Sequence, residues 1–369
     1  MTVTQGELIR LRLAAQQLAV RPESTPAGVV GRLGAVQAQD YRHALWAIGL
    51  RLPGSTEAAV EAALREGAIA RTWLLRGTLH LVAAADLRPL LALVAPRVIA
   101  ARAGRRRQLG IDRETLARSR QVLEGALSGG GALLRDEAYG ALRAAGVATD
   151  GQRGIHILSE LSLEGLLCQT TAERRQSAFV LLDEWLPASA RPDRDETLAG
   201  LAERYFAGHG PATLRDFAWW SGLTLTEART GLDAARTRVA LIEFEGSEYW
   251  VARDAEEVPA RRQARKSPAP LISLLPGYDE FIIGYQDRRV VLNGYGLERI
   301  VPGGNGAFQP AIAVDGRVVG IWRLGTIARA ASVAELFEPT DAALAPDAPL
   351  TRRVARALRD HDAFVRGDR

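Results

Sequence analysis

The chain is nearly devoid of lysine: of 47 basic residues only Lys266 is lysine, and the rest are arginine. A GC-rich genome accounts for most of this bias, but it has a chemical consequence. Arginine does not form a Schiff base as lysine readily does. An enzyme built on this chain works without an amine nucleophile, unless it uses Lys266 or the amino terminus. Cysteine is equally scarce. Cys168 stands alone, which excludes an intrachain disulfide and a cysteine-ligated metal site. The five histidines (His43, His80, His156, His209, His361) are scattered, with no two at a zinc-binding spacing on one helix. We therefore expect neither metal nor cofactor. No apolar run reaches the ~18 residues of a membrane span. The opening residues Met1 to Glu7 lack the charged and apolar regions of a secretory signal. The expectation is a cytoplasmic protein with no membrane partner.

What is present suits a folded protein: 369 residues, 47% apolar and 24% charged. That length fits two to three domains of ~100–200 residues each. The net charge of +4 permits an acidic partner without identifying one.

One supersecondary order recurs along the chain: helical patterns, then two short strands rich in β-branched or aromatic residues. The first cycle places helices at Glu7–Leu18, Pro26–Val36 and Glu57–Glu66, with Thr25 capping Pro26. Strands follow at Ile69–Leu75 and Thr78–Ala83 around Arg76-Gly77, and Asp86 opens a basic helix running to Ala103. The second cycle has helices near Asp112–Leu127, Leu133–Ala145 and Gln152–Glu164. Its strands lie near Leu166–Thr170 and Ala178–Leu182, before a linker at Pro187–Arg194. The third runs Glu196–Phe206, Thr213–Trp220, the turn Ser221-Gly222-Leu223, Thr224–Arg236, then strands Val239–Phe244 and Glu248–Ala252. Helix, short Gly-containing turn and helix form a helix-turn-helix, and the paired strands form its wing. The predicted fold is α+β, with three tandem winged helix-turn-helix units at 1–108, 109–190 and 191–265. A β-rich C-terminal region, 266–369, follows an exposed linker around Lys266. In it Asp315-Gly316 turns a hairpin over Pro310–Leu324. The chain closes with the helix Thr351–Val365, which carries Arg352, Arg353, Arg356 and Arg359. We read that helix as a solvated surface rather than a phosphate contact.

Three segments carry candidate chemistry. In Gln37-Ala38-Gln39-Asp40, the two glutamines converge on one ligand only if the segment is extended or the helix ends there; otherwise it is a polar helix end. In the strand pair Arg71–Val82, Arg76, Thr78 and His80 share a pocket in one reading. In the other, Trp73 fills the core and His80 satisfies a backbone carbonyl. In Leu274–Phe281, Asp279 and Glu280 are each a general base or an arginine partner, with the arginine-binding role favoured for Glu280.

These segments together, Val36-Gln37-Ala38-Gln39-Asp40, Thr72–His80 and Leu275-Pro276-Gly277-Tyr278-Asp279, resemble the HTH_42 superfamily of YcaQ-like bacterial DNA glycosylases over nearly the whole chain. One branch carries Gln-apolar-Gln, which Gln37-Ala38-Gln39 matches, and is associated with self-resistance to the crosslinking antibiotic azinomycin B. Another carries Gln-apolar-Asp, whose third position corresponds to Gln39 rather than Asp40. The resemblance implies three winged-helix motifs in a C-shaped body with a hairpin near the duplex, for which Asp315-Gly316 is the candidate. It implies a monofunctional glycosylase that releases N7-alkylguanine and unhooks interstrand crosslinks.

On that basis Gln37 and Gln39 are the expected catalytic pair. Asp40, Trp73, Arg76, Thr78, His80, Tyr278 and Asp279 are expected to support them. Arg97, Arg102, Arg105, Arg106, Arg107, Arg288, Arg289, Arg317 and Arg323 are expected to contact phosphates. The partner is double-stranded DNA bearing alkylated or crosslinked guanine, engaged by a monomer associated with the nucleoid. A winged-helix regulator without enzymatic activity is the alternative, and a protein that sequesters free drug is a further one.

Overall fold

The helix that starts at Pro26 ends at Leu33, three residues before the sequence pattern suggested, because Gly34 turns the backbone to a φ of 76°. That stop frees the following residues to run extended. They lie in a computed structural model that describes residues 1–172, 176–187, 192–253, 270–324, 332–338 and 348–367. Lys266 and its expected linker lie outside the described residues, as does 188–191 of the second one.

After α1 (Gln5–Ala15), the order helix, strand, helix, helix, strand, strand occurs twice. It runs first through α2 (Pro26–Leu33), β1 (Val36–Gln37), α3 (Tyr41–Arg51), α4 (Glu57–Arg65), β2 (Ile69–Trp73) and β3 (Leu79–Ala83). The long α5 (Ala84–Gln108) intervenes. The order then repeats in α6 (Arg113–Leu127), β4 (Leu133–Leu134), α7 (Arg135–Ala144), α8 (Arg153–Leu163), β5 (Leu167–Thr171) and β6 (Ser177–Leu181), closed by the short α9 (Leu182–Trp185). A third cycle follows in α10 (Arg194–His209), α11 (Leu214–Ser221), α12 (Leu225–Ala234), β7 (Val239–Phe244) and β8 (Ser247–Ala252). Its first strand is reduced to one bridge, Ala212 to Trp250. Thr213 and Thr224 close capping boxes with Asp216 and Glu227, so α11 and α12 have sharp starts on either side of Gly222.

The helix α3 was not foreseen. Ala44 through Gly49 are all buried, so the run is apolar all round and shows no 3.6-residue alternation for a sequence reading to detect.

The chain forms two compact units, Met1–Val60 with Leu198–Arg369, and Glu61–Thr197. These cut across the four consecutive segments expected. In the second unit the strands run β3-β2-β5-β6-β4, so two hairpins expected to be separate wings share one sheet. Their junction is a single ladder pair, Arg71 with Gln169. It is reinforced by the buried Arg71 guanidinium, which donates to Gln169 Oε1 at 2.6 Å and Ser177 Oγ at 3.1 Å.

The first unit holds a four-stranded antiparallel sheet, ordered β12-β11-β10-β9, from β9 (Ile272–Leu275), β10 (Ala311–Val314), β11 (Arg317–Arg323) and β12 (Val333–Leu336). Two short helices, α13 (Glu280–Ile283) and α14 (Arg289–Leu292), follow β9, and α15 (Ala348–Arg366) ends the chain. Trp46 of α3 donates to Leu274 O at 2.8 Å, and Trp322 donates to Leu275 O at 2.8 Å, tying α3 and β11 to the same strand. His361 of α15 stands edge-on to both indoles, 4.8 Å from each.

The Asp315-Gly316 turn forms as expected, with φ of 48° and 77°, but it does not project. A Cβ at Gly316 would meet Ile9 Cγ2 at 2.5 Å and Leu13 Cδ1 at 3.3 Å. Asp315 accepts from the Leu271 amide at 2.8 Å. The turn is seated against α1 at Gly316, with Asp315 exposed at its tip.

Candidate active site

Beyond Gly34 the chain alternates. Val36 and Ala38 are buried, Gln37 is half-buried, and Gln39 and Asp40 are exposed. Val36 and Gln37 form the short strand β1, and the chain bends at Gln39 and Asp40 before it enters α3. Asp40 has a separate task. It is the N-cap of α3, its carboxylate accepting from the His43 amide at 3.0 Å. The His43 ring lies 4.0 Å from the same carboxylate. Burial lowers the His43 pKa while Asp40 opposes that shift.

The loop after β9 closes on this segment. A Cβ at Gly277 would lie 2.8 Å from the His43 ring, so only glycine allows Pro276-Gly277 to pass so close. Tyr278 follows with φ of 64°. Its ring is 6.0 Å from Phe308, and its hydroxyl pKa is raised by burial and by the charge of Asp40. Arg288 continues the patch. Its guanidinium lies 5.2 Å from the Phe308 ring and 4.8 Å from Trp219, and its Nε donates to Ile282 O at 3.1 Å. Burial lowers its pKa.

Asp279 was expected beside the reacting atoms, and the structure places it elsewhere. It is fully buried, with its two oxygens 2.8 and 2.9 Å from Arg51 NH1 and NH2. It also caps α13 through the Phe281 amide at 2.9 Å. A carboxylate so engaged does not reach a substrate. Its neighbour Glu280, also fully buried, accepts the Gln37 amide at 2.9 Å, the Trp220 indole at 2.9 Å and His209 Nε2 at 3.2 Å. These partners, a backbone amide, an indole and an imidazole, have no signature in the sequence.

The second unit carries the other expected site residues. Trp73 is buried and stacks on Phe179 at 6.3 Å and 10°. His80 is fully buried, and its Nδ1 donates to the Thr78 carbonyl at 2.9 Å. These two therefore take the core role that was the alternative reading. Arg76, with φ of 54°, and Thr78 are half-buried in the β2–β3 turn. The Thr78 hydroxyl donates to Leu75 O at 3.2 Å.

The expected phosphate contacts separate into kinds. Arg106 is ion-paired to the buried Glu160, whose pKa burial raises. Arg102 donates to the Gly77 carbonyl and to Ser159 Oγ. Both hold the second unit together. Arg105 donates to Gln152 at 2.8 Å, and Arg97, Arg105 and Arg107 are all exposed on α5. In the first unit Arg289 is exposed and paired to Asp287 at 2.6 Å. Arg323 is exposed 3.6 Å from Glu335, and Arg317 is half-buried.

Among the described residues no three His, Cys, Asp or Glu converge as a metal-binding set, and no helix is long and apolar enough to cross a membrane. The buried Cys168 thiol is pushed up to about 12, which leaves it protonated and inert.

The family model described as "DNA glycosylase AlkZ-like" matches residues 30–364, and the chain belongs to that family, whose members are hydrolases of N-glycosyl bonds. It is 26% identical to the "Interstrand DNA cross-link repair glycosylase" of Streptomyces sahachiroi over 88% of this chain and 89% of that one. Its fold matches the structure of Streptomyces sahachiroi DNA glycosylase AlkZ with a TM-score of 0.77, covering 100% of this chain and 98% of that chain at 24% identity.

Proposed function

We propose that this protein releases N7-alkylguanine from double-stranded DNA and unhooks interstrand crosslinks, with Gln37 and Gln39 as the catalytic pair. The supporting observation is the exposure pattern at 36–39, in which Val36 and Ala38 are buried, Gln37 is half-buried and Gln39 is exposed, while Asp40 caps its helix. The name of the Streptomyces sahachiroi relative, an interstrand crosslink repair glycosylase, supports the substrate class.

Glutamine is a poor general base, and the substrate makes that tolerable. A guanine alkylated at N7 is already cationic, so it leaves readily and its sugar passes through an oxocarbenium-like state. Catalysis then rests on orienting one water and on stabilising positive charge with amide dipoles. Each glutamine offers a carbonyl acceptor and an amide donor. Gln39 positions the water, and Gln37 contacts that water or the deoxyribose. Tyr278 and the Asp40 cap border the site, and Arg97 and Arg107 bind phosphates. Water as nucleophile makes the enzyme monofunctional, without a lyase step.

A crosslinked base is tethered to both strands and cannot rotate into a closed pocket, so an open face suits it better than base flipping. We read the cellular role as self-resistance to an azinomycin B-type agent, carried out by a monomer in the cytoplasm. The test is incubation of N7-alkylguanine duplex with wild type, Gln37→Ala and Gln39→Ala, scoring alkali-labile breaks. Loss of breaks in the variants is expected, and equal breaks in all three would remove the assignment. An azinomycin-type crosslinked duplex in the same assay tests unhooking.

A further inference from the structure

Resting on that reading of Gln37, we infer that Glu280 is the positioning residue of the reaction, a buried carboxylate that fixes the backbone from which Gln37 reaches the water. A carboxylate removed from water is costly unless hydrogen bonds replace its solvation. Glu280 is fully buried and its partners are directional. Trp220 and His209 both approach Oε2, at 2.9 and 3.2 Å, which leaves Oε1 aimed at the Gln37 amide at 2.9 Å.

Those two donors are themselves packed among aromatic rings. His209 is stacked on Tyr205 at 4.7 Å and 13° and lies 5.1 Å from the Trp220 ring. The third cycle of helices thus sets the orientation of the carboxylate, and the carboxylate sets the strand.

The adjacent residue completes the grip. Asp279 binds Arg51, the last residue of α3, while Asp40 caps the first turn of the same helix. Two consecutive carboxylates therefore hold the start of the Gln37–Asp40 segment and the far end of the helix that follows it. A neutral amide has only its placement to contribute, and a displacement of about 1 Å costs on the order of 100-fold in rate.

The decisive variant is Glu280→Gln in the full-length protein. It keeps the volume but replaces one oxygen by an NH2 that accepts nothing, so either the Gln37 amide or the Trp220 and His209 donors lose their acceptor. Single-turnover release of N7-alkylguanine should slow by ~10- to 100-fold, with DNA affinity changed by no more than about twofold. In a Gln37→Ala background the same change should cost no more than about a further twofold, because Glu280 acts through Gln37. A wild-type rate in Glu280→Gln, or a full multiplicative loss in the double variant, overturns the proposal. If circular dichroism shows Glu280→Gln unfolded, Trp220→Phe takes its place and is judged by the same two outcomes. Wild-type rates in Gln37→Ala and Gln39→Ala would instead remove the catalytic reading itself. Slow glutamine variants beside a fast Glu280→Gln would remove only the role of Glu280.

Discussion

Arg51 and Asp279 form a two-pronged ion pair at 2.8 and 2.9 Å with neither side chain exposed. The pair is extended by Gln16, whose side-chain and main-chain oxygens both accept from Arg51, at 2.8 and 2.9 Å. Removing one member strands the other charge. Asp279→Asn or Arg51→Met should each destabilise the protein by about 3–5 kcal/mol. The double variant should cost less than the sum of the two, since no charge is left unpaired. Urea denaturation of the three variants checks this.

Asp40 and Gln39 are neighbours with separable duties. Asp40→Ala should cost about 1 kcal/mol of stability through the lost cap, and Asp40→Ser should recover most of it. Base release should change by less than about threefold in either, whereas Gln39→Ala should slow it by at least ~100-fold. Denaturation curves and single-turnover rates on the same preparations separate the two effects.

Arg106 and Arg107 are adjacent in sequence and opposite in task. Arg107→Gln should lower the slope of log affinity against log salt by about 1. Arg106→Gln should leave that slope alone and lower the thermal midpoint, because it abandons the buried Glu160. DNA binding at several salt concentrations, with a melting scan on each variant, distinguishes them.

His361 should make the fold acid-sensitive. Burial among Trp46 and Trp322, opposed by Asp362, lowers its pKa to about 4. Ser332 Oγ lies 3.2 Å from Nδ1 and Asp362 Oδ1 lies 3.3 Å from it, while Arg42 and His43 lower the value further. The unfolded chain binds the proton near pH 6.5 and the folded one does not, so stability falls as pH drops from 6.5 to about 4. The loss amounts to roughly 3 kcal/mol across that window, with His43 shifted in the same direction. His361→Gln should flatten this part of the profile, measured by urea midpoints at pH 7, 5.5 and 4.5.

The repeat of helices and hairpins was legible because its punctuation is local. Thr25, Gly222 and Asp315-Gly316 each announce a start or a turn from their own chemistry. What was not legible depends on distance or on burial from all sides. The helix α3 hides in an unbroken apolar run. Arg51 and Asp279 are 228 residues apart, and nothing in either segment names the other. The Asp315-Gly316 turn is legible as a turn, whereas its packing against Ile9 and Leu13, far away in the chain, is not. Arg102, Arg106 and Arg107 look alike in a basic helix until the fold supplies Gly77 and Glu160 to the first two.

The burial pattern at 36–39 separates what the fold requires from what the surface presents. Val36 and Ala38 belong to the interior, while Gln39 is open to solvent. The side chain at the third position can be exchanged, an amide for a carboxylate for instance, without rebuilding anything beneath it. Stability of the scaffold and identity of the side chain at that position are thereby uncoupled, so substitutions at Gln39 should leave the folded state intact.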